Sequence, residues 1–369
     1  MKKNYLVANR ISYIDGLRGL AILAVVFYHA YSRWSSIEPF DQNGILQNLF
    51  SYGWLGVQLF FGISGYVIYM TILKTNNFFM FGLARYLRLA PAMLIAACLI
   101  YTTAFFIVER PLGAPSLIDF IPSLTFVQPG VFNEILGTEM RSLDGVFWSL
   151  YVEVKFYFIV AFLFYIVGDK KLKGLNLLFM IWCIFAVNNF LVIVNNSYTN
   201  LIFYTLNVIG VNYYGWFLLG VIAYKYQVDK TKRNAFLLLA MLIVAVLSSS
   251  FEDIKNFLPA LITASIFIAP FFIEKARELL SSEKLLFVGY ISYPLFLIHQ
   301  NIVTGLAIKL HAIYPNLPAF VYPIPFILIV IFISYLIANL EPKFRKSLKN
   351  IFPNKFFGYQ LKRTKLKGY

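Results

Sequence analysis

Long apolar runs limit what this chain can become more than any other feature. They recur at Trp54–Leu73, Leu89–Val108, Val146–Val167, Leu175–Val194, Leu201–Tyr224, Ala235–Phe251, Phe257–Ile273, Leu285–Ile308 and Ala319–Leu340. A helix of about 20 apolar residues crosses the ~30 Å hydrocarbon core of a bilayer. Lipid offers the backbone no hydrogen-bond partners, so a spanning segment bonds its own N–H and C=O groups as a helix. A weaker segment, Leu17–Tyr31, precedes these runs and brings the expected number to ten. Composition agrees, since 60% of the 369 residues are hydrophobic and only 13% are charged, well away from the balance of soluble domains. The expected fold class is all-α: a polytopic integral membrane protein with about ten transmembrane helices. Residues 1–340 are expected to form the membrane domain and 341–369 a basic cytoplasmic tail.

A net charge of +15 could suggest nucleic acid, but its distribution follows the rule that short cytoplasmic loops collect Lys and Arg. With ten alternating helices and a cytoplasmic N-terminus, 26 of the 32 basic residues fall on the cytoplasmic side. Arg33, Arg110, Arg141, Lys255 and Lys309 fall outside, and Lys155 falls within a helix. Nine of the 17 acidic residues also lie outside. An odd number of helices scrambles this pattern, so both termini are expected in the cytoplasm of a multi-pass protein of the cell (inner) membrane. The basic tail then faces anionic membrane lipids, and no nucleic-acid partner is expected.

Cys98 and Cys183 sit within apolar runs and read as small fillers, with no metal site implied. Met1-Lys2-Lys3 resembles the start of a secretory signal, but Asp15 and Arg18 interrupt the apolar stretch such a signal needs, so the first helix is expected to remain in the mature protein. No internal repeat stands out. Most loops are short except Glu109–Asp144, which carries Pro111, Pro115, Pro122 and Pro129. Loops of that length are commonly functional, and its apolar stretch Leu117–Val127 predicts a short interfacial helix within a structured cap.

Polar groups at membrane depth point to function, because a charge near a helix centre costs about 2.5–3.5 kcal/mol or more to insert. Arg18 and His29 lie on the first helix, Glu153 and Lys155 on the fourth, and His299 on the ninth. Helical rise places Arg18 and His29 roughly 16 Å apart, the arginine near the cytoplasm and the histidine towards the outside. The same reckoning puts Glu153 and His299 in the outer half as well. Neutral imidazole suits a general base acting on a hydroxyl, and Glu153 could orient that ring or hold an acceptor hydroxyl. Glu153 and Lys155 are two residues apart and face different ways on a helix. His299 reads equally as site wall or structural hydrogen-bonding residue, and His311 as a solvated loop residue. On the cytoplasmic side Arg18, Arg85 and Arg88 gather near Lys74, and guanidinium groups suit phosphate. The intervening ~16 Å is about the reach of a coenzyme A pantetheine arm. Gly62, Ser64 and Gly65 read either as helix-packing contacts or as room for that arm.

An arginine and a histidine separated by ten residues in "YIDGLRGLAILAVVFYHA" begin an ordered set of motifs. "FFGISGYVI" (Phe60–Ile68), "ARYLRLAP" (Ala84–Pro91), "FWSLYVEVKFY" (Phe147–Tyr157), "SYPLFLIH" (Ser292–His299) and "LEPKF" (Leu340–Phe344) complete it. In this order and spacing the chain resembles the acyltransferase-3 family of membrane-bound O-acyltransferases of bacterial cell-envelope modification. The resemblance implies acyl-CoA, acetyl-CoA above all, as a co-substrate with no permanently bound cofactor. It implies His29 as catalytic base, Arg18 with Arg85 and Arg88 at the coenzyme, and Trp148, Ser149 and Glu153 at the site; Glu153 is expected to share in catalysis with His29, and His299 to join Trp148 and Ser149 at the substrate. Family members often carry a double arginine where this chain has Ala84-Arg85. Many carry a further soluble domain, whereas 29 residues follow Leu340 here, so hand-off to such a domain is expected to need a separate partner.

The expected function is transfer of an acyl group, most simply acetyl, from cytosolic acyl-CoA to a hydroxyl of an extracytoplasmic glycan such as a surface polysaccharide or lipopolysaccharide. The alternative is a transporter or flippase of a lipid-linked glycan, in which His29, Glu153 and His299 line a path and coenzyme A plays no part. Sequence leaves open the acceptor, the acyl group, the oligomeric state and the choice between direct transfer and an acyl-enzyme.

Overall fold

The computed structural model describes residues 11–34, 36–37, 44–168, 182, 206, 208–251 and 253–351. Among these the chain is helical, without strands. Its helices are α1 (Ser12–Tyr31), α2 (Ile45–Phe50), α3 (Leu55–Ile72), α4 (Phe78–Ala104), α5 (Phe120–Thr125), α6 (Pro129–Leu136) and α7 (Trp148–Ala161). They continue as α8 (Tyr214–Val228), α9 (Lys232–Ser250), α10 (Phe257–Phe272), α11 (Glu274–Leu280), α12 (Glu283–Ile313) and α13 (Ile324–Ile351). Eight stretches of the described residues are long and apolar enough to cross a bilayer, and the protein is an all-α, multi-pass membrane protein. These eight match the expected segments except two. The run Leu175–Val194 lies outside the described residues but for Trp182, and Leu201–Tyr224 is described only in part, where α8 begins.

The bundle is organised around α1, whose Leu17, Ala21, Ile22 and Val25 are wholly buried. It packs mainly against α12 and α3. Helices α1 and α12 run parallel, because Asp15 and Gly19 meet Gly289 and Leu285 at one end while His29 meets His299 at the other. Their backbones all but touch: a Cβ on Gly19 would stand 2.4 Å from the Leu285 carbonyl oxygen, and one on Gly289 2.0 Å from that of Asp15. Small residues allow such approach where lipid gives no hydrophobic drive to helix association. Towards the periphery, α9, α10 and α13 present exposed Phe236, Leu239, Leu258, Ile262, Leu328 and Phe332, the all-round apolar surface that a lipid-facing helix needs.

The segment between α4 and α7 is an ordered cap. A 3-10 turn, Leu117–Asp119, leads into α5, with α6 beyond it, in place of the one helix expected over Leu117–Val127. The buried carboxylate of Asp119 accepts from the backbone N–H groups of Ser116 (2.8 Å) and Arg141 (2.7 Å). Asn133 holds Met140 from both sides of its peptide, and the Arg141 guanidinium donates to the Ala114 carbonyl (2.9 Å). The last helix runs on past Leu340 as far as Ile351. Cys98 is exposed on α4, Cys183 lies outside the described residues, and His311 belongs to the last turn of α12, edge-on to Tyr322, instead of to a solvated loop.

Two outcomes test this packing. Gly289→Ala must part α1 from α12, and overpacking of this kind costs about 1–3 kcal/mol, read as a lowered Tm in nanodiscs; Gly82→Ala, with open space around it, leaves Tm unchanged or slightly raised. Asp119→Ala removes the acceptor that ties the cap to itself, so limited trypsin digestion cuts at Arg110 and Arg141 faster than in the parent protein.

Candidate active site

The α1–α12 register brings His29 and His299 together, with ring centroids 4.9 Å apart and planes at 70°. Their hydrogen bonds fix both tautomers. The His299 Nδ1 lies 2.9 Å from the Phe296 carbonyl oxygen and 3.1 Å from that of Leu295. Carbonyls only accept, so Nδ1 carries the hydrogen and the Nε2 of the neutral ring is an acceptor. That Nε2 lies 3.1 Å from the Nδ1 of His29, which also lies 2.9 Å from the Val25 carbonyl oxygen. The His29 Nδ1 therefore donates, shared between two acceptors. Its Nε2 keeps a lone pair and meets no hydrogen-bond donor among the described residues. The pair is a chain of one-way donors ending in a basic nitrogen, with His299 buried behind it and His29 half-buried in front.

Behind His299 the polar chain continues to the cap. Asn301, two residues further along α12, donates its Nδ2 to the wholly buried Asp144 carboxylate at 2.7 Å. Asp144 also caps the start of the α7 segment through Val146 N (3.2 Å). Burial pushes the Asp144 carboxyl above its ordinary range, opposed by these hydrogen bonds and by the nearby Arg110 guanidinium. The Arg110 Nη2 donates to the Leu143 carbonyl at 2.7 Å, holding the last residues of the cap against the helix that carries His299.

The three arginines gather at one cavity. Arg18, Arg85 and Arg88 line it with Ser149, Glu153 and Tyr157, and Phe60 and Phe296 stand at its wall. Phe296 contacts both Phe60 and His299, at centroid distances of 5.9 Å each, so the cavity ends close behind the histidine pair. Arg18 pairs with Asp15 (3.7 Å) and Arg88 with Glu341 (3.2 Å). Arg85 donates to the Thr71 hydroxyl and lies 5.7 Å from the ring centroids of Phe81 and Tyr157. Its buried Nε has no acceptor among the described residues. Three guanidinium groups facing one space suit an anion with several oxygens.

Glu153 belongs to this cavity and not to the histidine pair. Its Oε1 accepts from the hydroxyls of Ser64 and Tyr157, and the partner of His29 is His299. Lys155 does turn away from Glu153, donating to Gln128 Oε1 (2.6 Å) and to the Val208 carbonyl. Ser149 and Trp148 part company across α7: the serine lines the arginine cavity, the tryptophan an outer groove. Sequence reasoning missed Glu341 as a site residue, although an acid in so basic a segment was a usable signal. Tyr157, four residues after Glu153, and Tyr293, whose ring lies 5.7 Å from the Arg88 guanidinium, carried no such mark.

Known proteins share much of this sequence. The chain is 24% identical over 375 residues to a protein of Staphylococcus aureus (strain COL) named "Putative O-acetyltransferase", an alignment covering 90% of this chain and 57% of the relative. A protein of the same name from strain MRSA252 matches to the same extent. This chain is also 29% identical over 159 residues to the O-acetyltransferase OatA of S. aureus (strain NCTC 8325 / PS 47), covering 39% of this chain and 23% of that protein. The chain thus spans little more than half the length of the first of these relatives. No solved structure matches it. The model of the acyltransferase-3 family, described as an acyltransferase domain, matches residues 11–339, nearly the whole membrane bundle, and the chain belongs to that family.

Proposed function

We propose that the protein is an O-acetyltransferase of a bacterial inner membrane, taking acetyl from cytosolic acetyl-CoA and placing it on a hydroxyl of an extracytoplasmic glycan. The observation that carries this reading is the His29–His299 pair, which ends in an unshared Nε2 lone pair and abuts a cavity lined by three arginines. The names of the staphylococcal relatives support acetyl as the group transferred. In this reading both termini and the arginines face the cytoplasm. Arg18, Arg85 and Arg88 hold the coenzyme's phosphates, and its pantetheine arm runs up the cavity past Ser149 and Glu153 towards the histidines.

His29 Nε2 takes the proton of the acceptor hydroxyl, whose oxygen attacks the thioester carbonyl carbon. The carbon–sulfur bond breaks, the ester forms outside, and the leaving sulfur takes the proton from His29. While His29 is charged, the His299 lone pair and the Val25 carbonyl both face the Nδ1 side of its ring and stabilise it. His299 is thus a positioning residue. Direct transfer needs no nucleophile beyond the acceptor itself.

The test is transfer from labelled acetyl-CoA to envelope glycans by the purified protein in nanodiscs. His29→Ala lowers transfer by about 10²–10⁴-fold, the usual worth of a positioned general base, while coenzyme binding persists. His299→Ala lowers kcat by about tenfold, the worth of one hydrogen bond to a charged group, with KM for acetyl-CoA unchanged; His299→Gln, which still offers an oxygen to the His29 Nδ1, recovers part of it. Arg88→Ala acts in the opposite sense, raising that KM more than it lowers kcat. A folded parent protein that neither binds nor turns over acetyl-CoA overturns the proposal and favours a glycan carrier.

A further inference from the structure

A second cavity, of about 430 Å³, opens on the same side of the bundle as the cap and is separate from the arginine cavity. Its size is in the range of ligand sites. Trp148 and Tyr213 form one wall with ring centroids 5.2 Å apart, and the tryptophan is 40% exposed although it starts a helix of the buried bundle. Gln128 and Gly130 of the cap form the rim, and Lys155 and Asn212 supply polar groups. Gly145 lines its inner end, where the Gln300 amide stands 3.1 Å from the place a Cβ would take. Gln300 is the next residue after His299, so the inner end of the groove meets α12 one residue from the histidine pair.

Two groups in this groove ask for a ligand of particular chemistry. Lys155 is the one charged residue among the described residues lining it. Both of its partners are neutral oxygens, and an ammonium group has three hydrogens to give. The Asn212 Oδ1 is buried with no donor among the described residues. A buried acceptor left unbonded costs about 1–3 kcal/mol, which a donating hydroxyl would recover. An aromatic wall, a cation with an N–H to spare and an acceptor awaiting a hydroxyl together fit an acidic sugar. The aromatic faces meet the apolar C–H side of the ring.

We propose that this groove is the acceptor subsite and that it takes a carboxylate-bearing sugar unit, its carboxylate on Lys155 Nζ and one of its hydroxyls donating to Asn212 Oδ1. The inference rests on the acetyltransferase reading for the fate of that sugar, and its own content is the preference for a carboxylate. A neutral sugar leaves Lys155 with its two protein oxygens and gains only the aromatic wall and Asn212.

The experiment is calorimetric binding to the full chain in nanodiscs, without acetyl-CoA. The probes are a tetrasaccharide of alternating glucuronic acid and N-acetylglucosamine and the same tetrasaccharide with its carboxylates reduced to alcohols. The parent protein binds the acidic form about tenfold or more tightly than the reduced form, with an affinity that falls as salt rises. Lys155→Met abolishes the difference, Lys155→Arg keeps most of it, and Asn212→Ala weakens both probes alike. Equal affinity for the two forms in the parent protein, a preference that survives Lys155→Met, or failure to bind either form overturns the proposal. Acidic-sugar binding that persists in a protein showing no acetyl transfer to any glycan sinks the acetyltransferase reading and leaves the subsite standing, so the two fail separately.

Discussion

Contact between two backbones underlies the rest of this structure. Where α1 and α12 approach through Gly19 and Gly289, carbonyl oxygens of one helix occupy the space that side chains of the other would need. Such an interface admits little sliding, because each glycine is matched to one position on its neighbour. The register it sets puts His29 against His299 at the far end of the same two helices. A bond between imidazole nitrogens at 3.1 Å depends on that register, since one residue's slip rotates a helical side chain by about 100°. The helices α3 and α8 repeat the device at Gly65 and Gly220, where a Cβ would stand 2.0 and 1.9 Å from carbonyl oxygens of the partner helix. This second seam fixes α3, and with it Ser64, against Glu153.

Polarity is partitioned in the same spirit. Three ionisable groups inside the bundle have defined partners: Glu153 is held by two hydroxyls, Arg88 by Glu341, Arg18 by Asp15. Charges at membrane depth persist where they pair or face a cavity, and here they do both. The histidines are kept apart from this ionic zone by the Phe60–Phe296 contact.

Much of this was legible in the sequence, for a physical reason. Apolar runs long enough to span a membrane can only be helices, and a histidine or arginine inside one stands out against the cost of burying it. His29, His299, Arg18 and Glu153 were visible on that ground, and Arg85 and Arg88 through their place beside Arg18 at the cytoplasmic end. Helical rise fixes depth, but not the direction a side chain takes around its axis, and there the sequence fell silent. Glu153 shares a depth with the histidines and points elsewhere, into the arginine cavity, because Ser64 and Tyr157 hold it there. Which of two candidate partners His29 would meet turned on the α1–α12 register, written in glycines whose counterparts lie some 270 positions away. Glu341 was hidden by the apparent end of the last apolar run, past which the helix continues. The outer groove is assembled from the cap, α7 and the residues just before α8, and nothing local to any one of them announces it.

The distance along the chain between the two histidines has a consequence for biosynthesis. Helix α1 is made and inserted ahead of α12, carrying His29 and Arg18 into the bilayer well before α12 leaves the ribosome. Through that interval His29 has the Val25 carbonyl within its own helix, and α1 can dock on α3, where Gly53 and Gly56 admit the backbone of Ala24 and Ala21. A nascent chain arrested before α12 therefore holds an inserted but unfinished bundle, with the imidazole anchored and no ring opposite it. The bond between His29 and His299 forms only once α12 has joined the bundle, so a product truncated before that helix carries half of the pair.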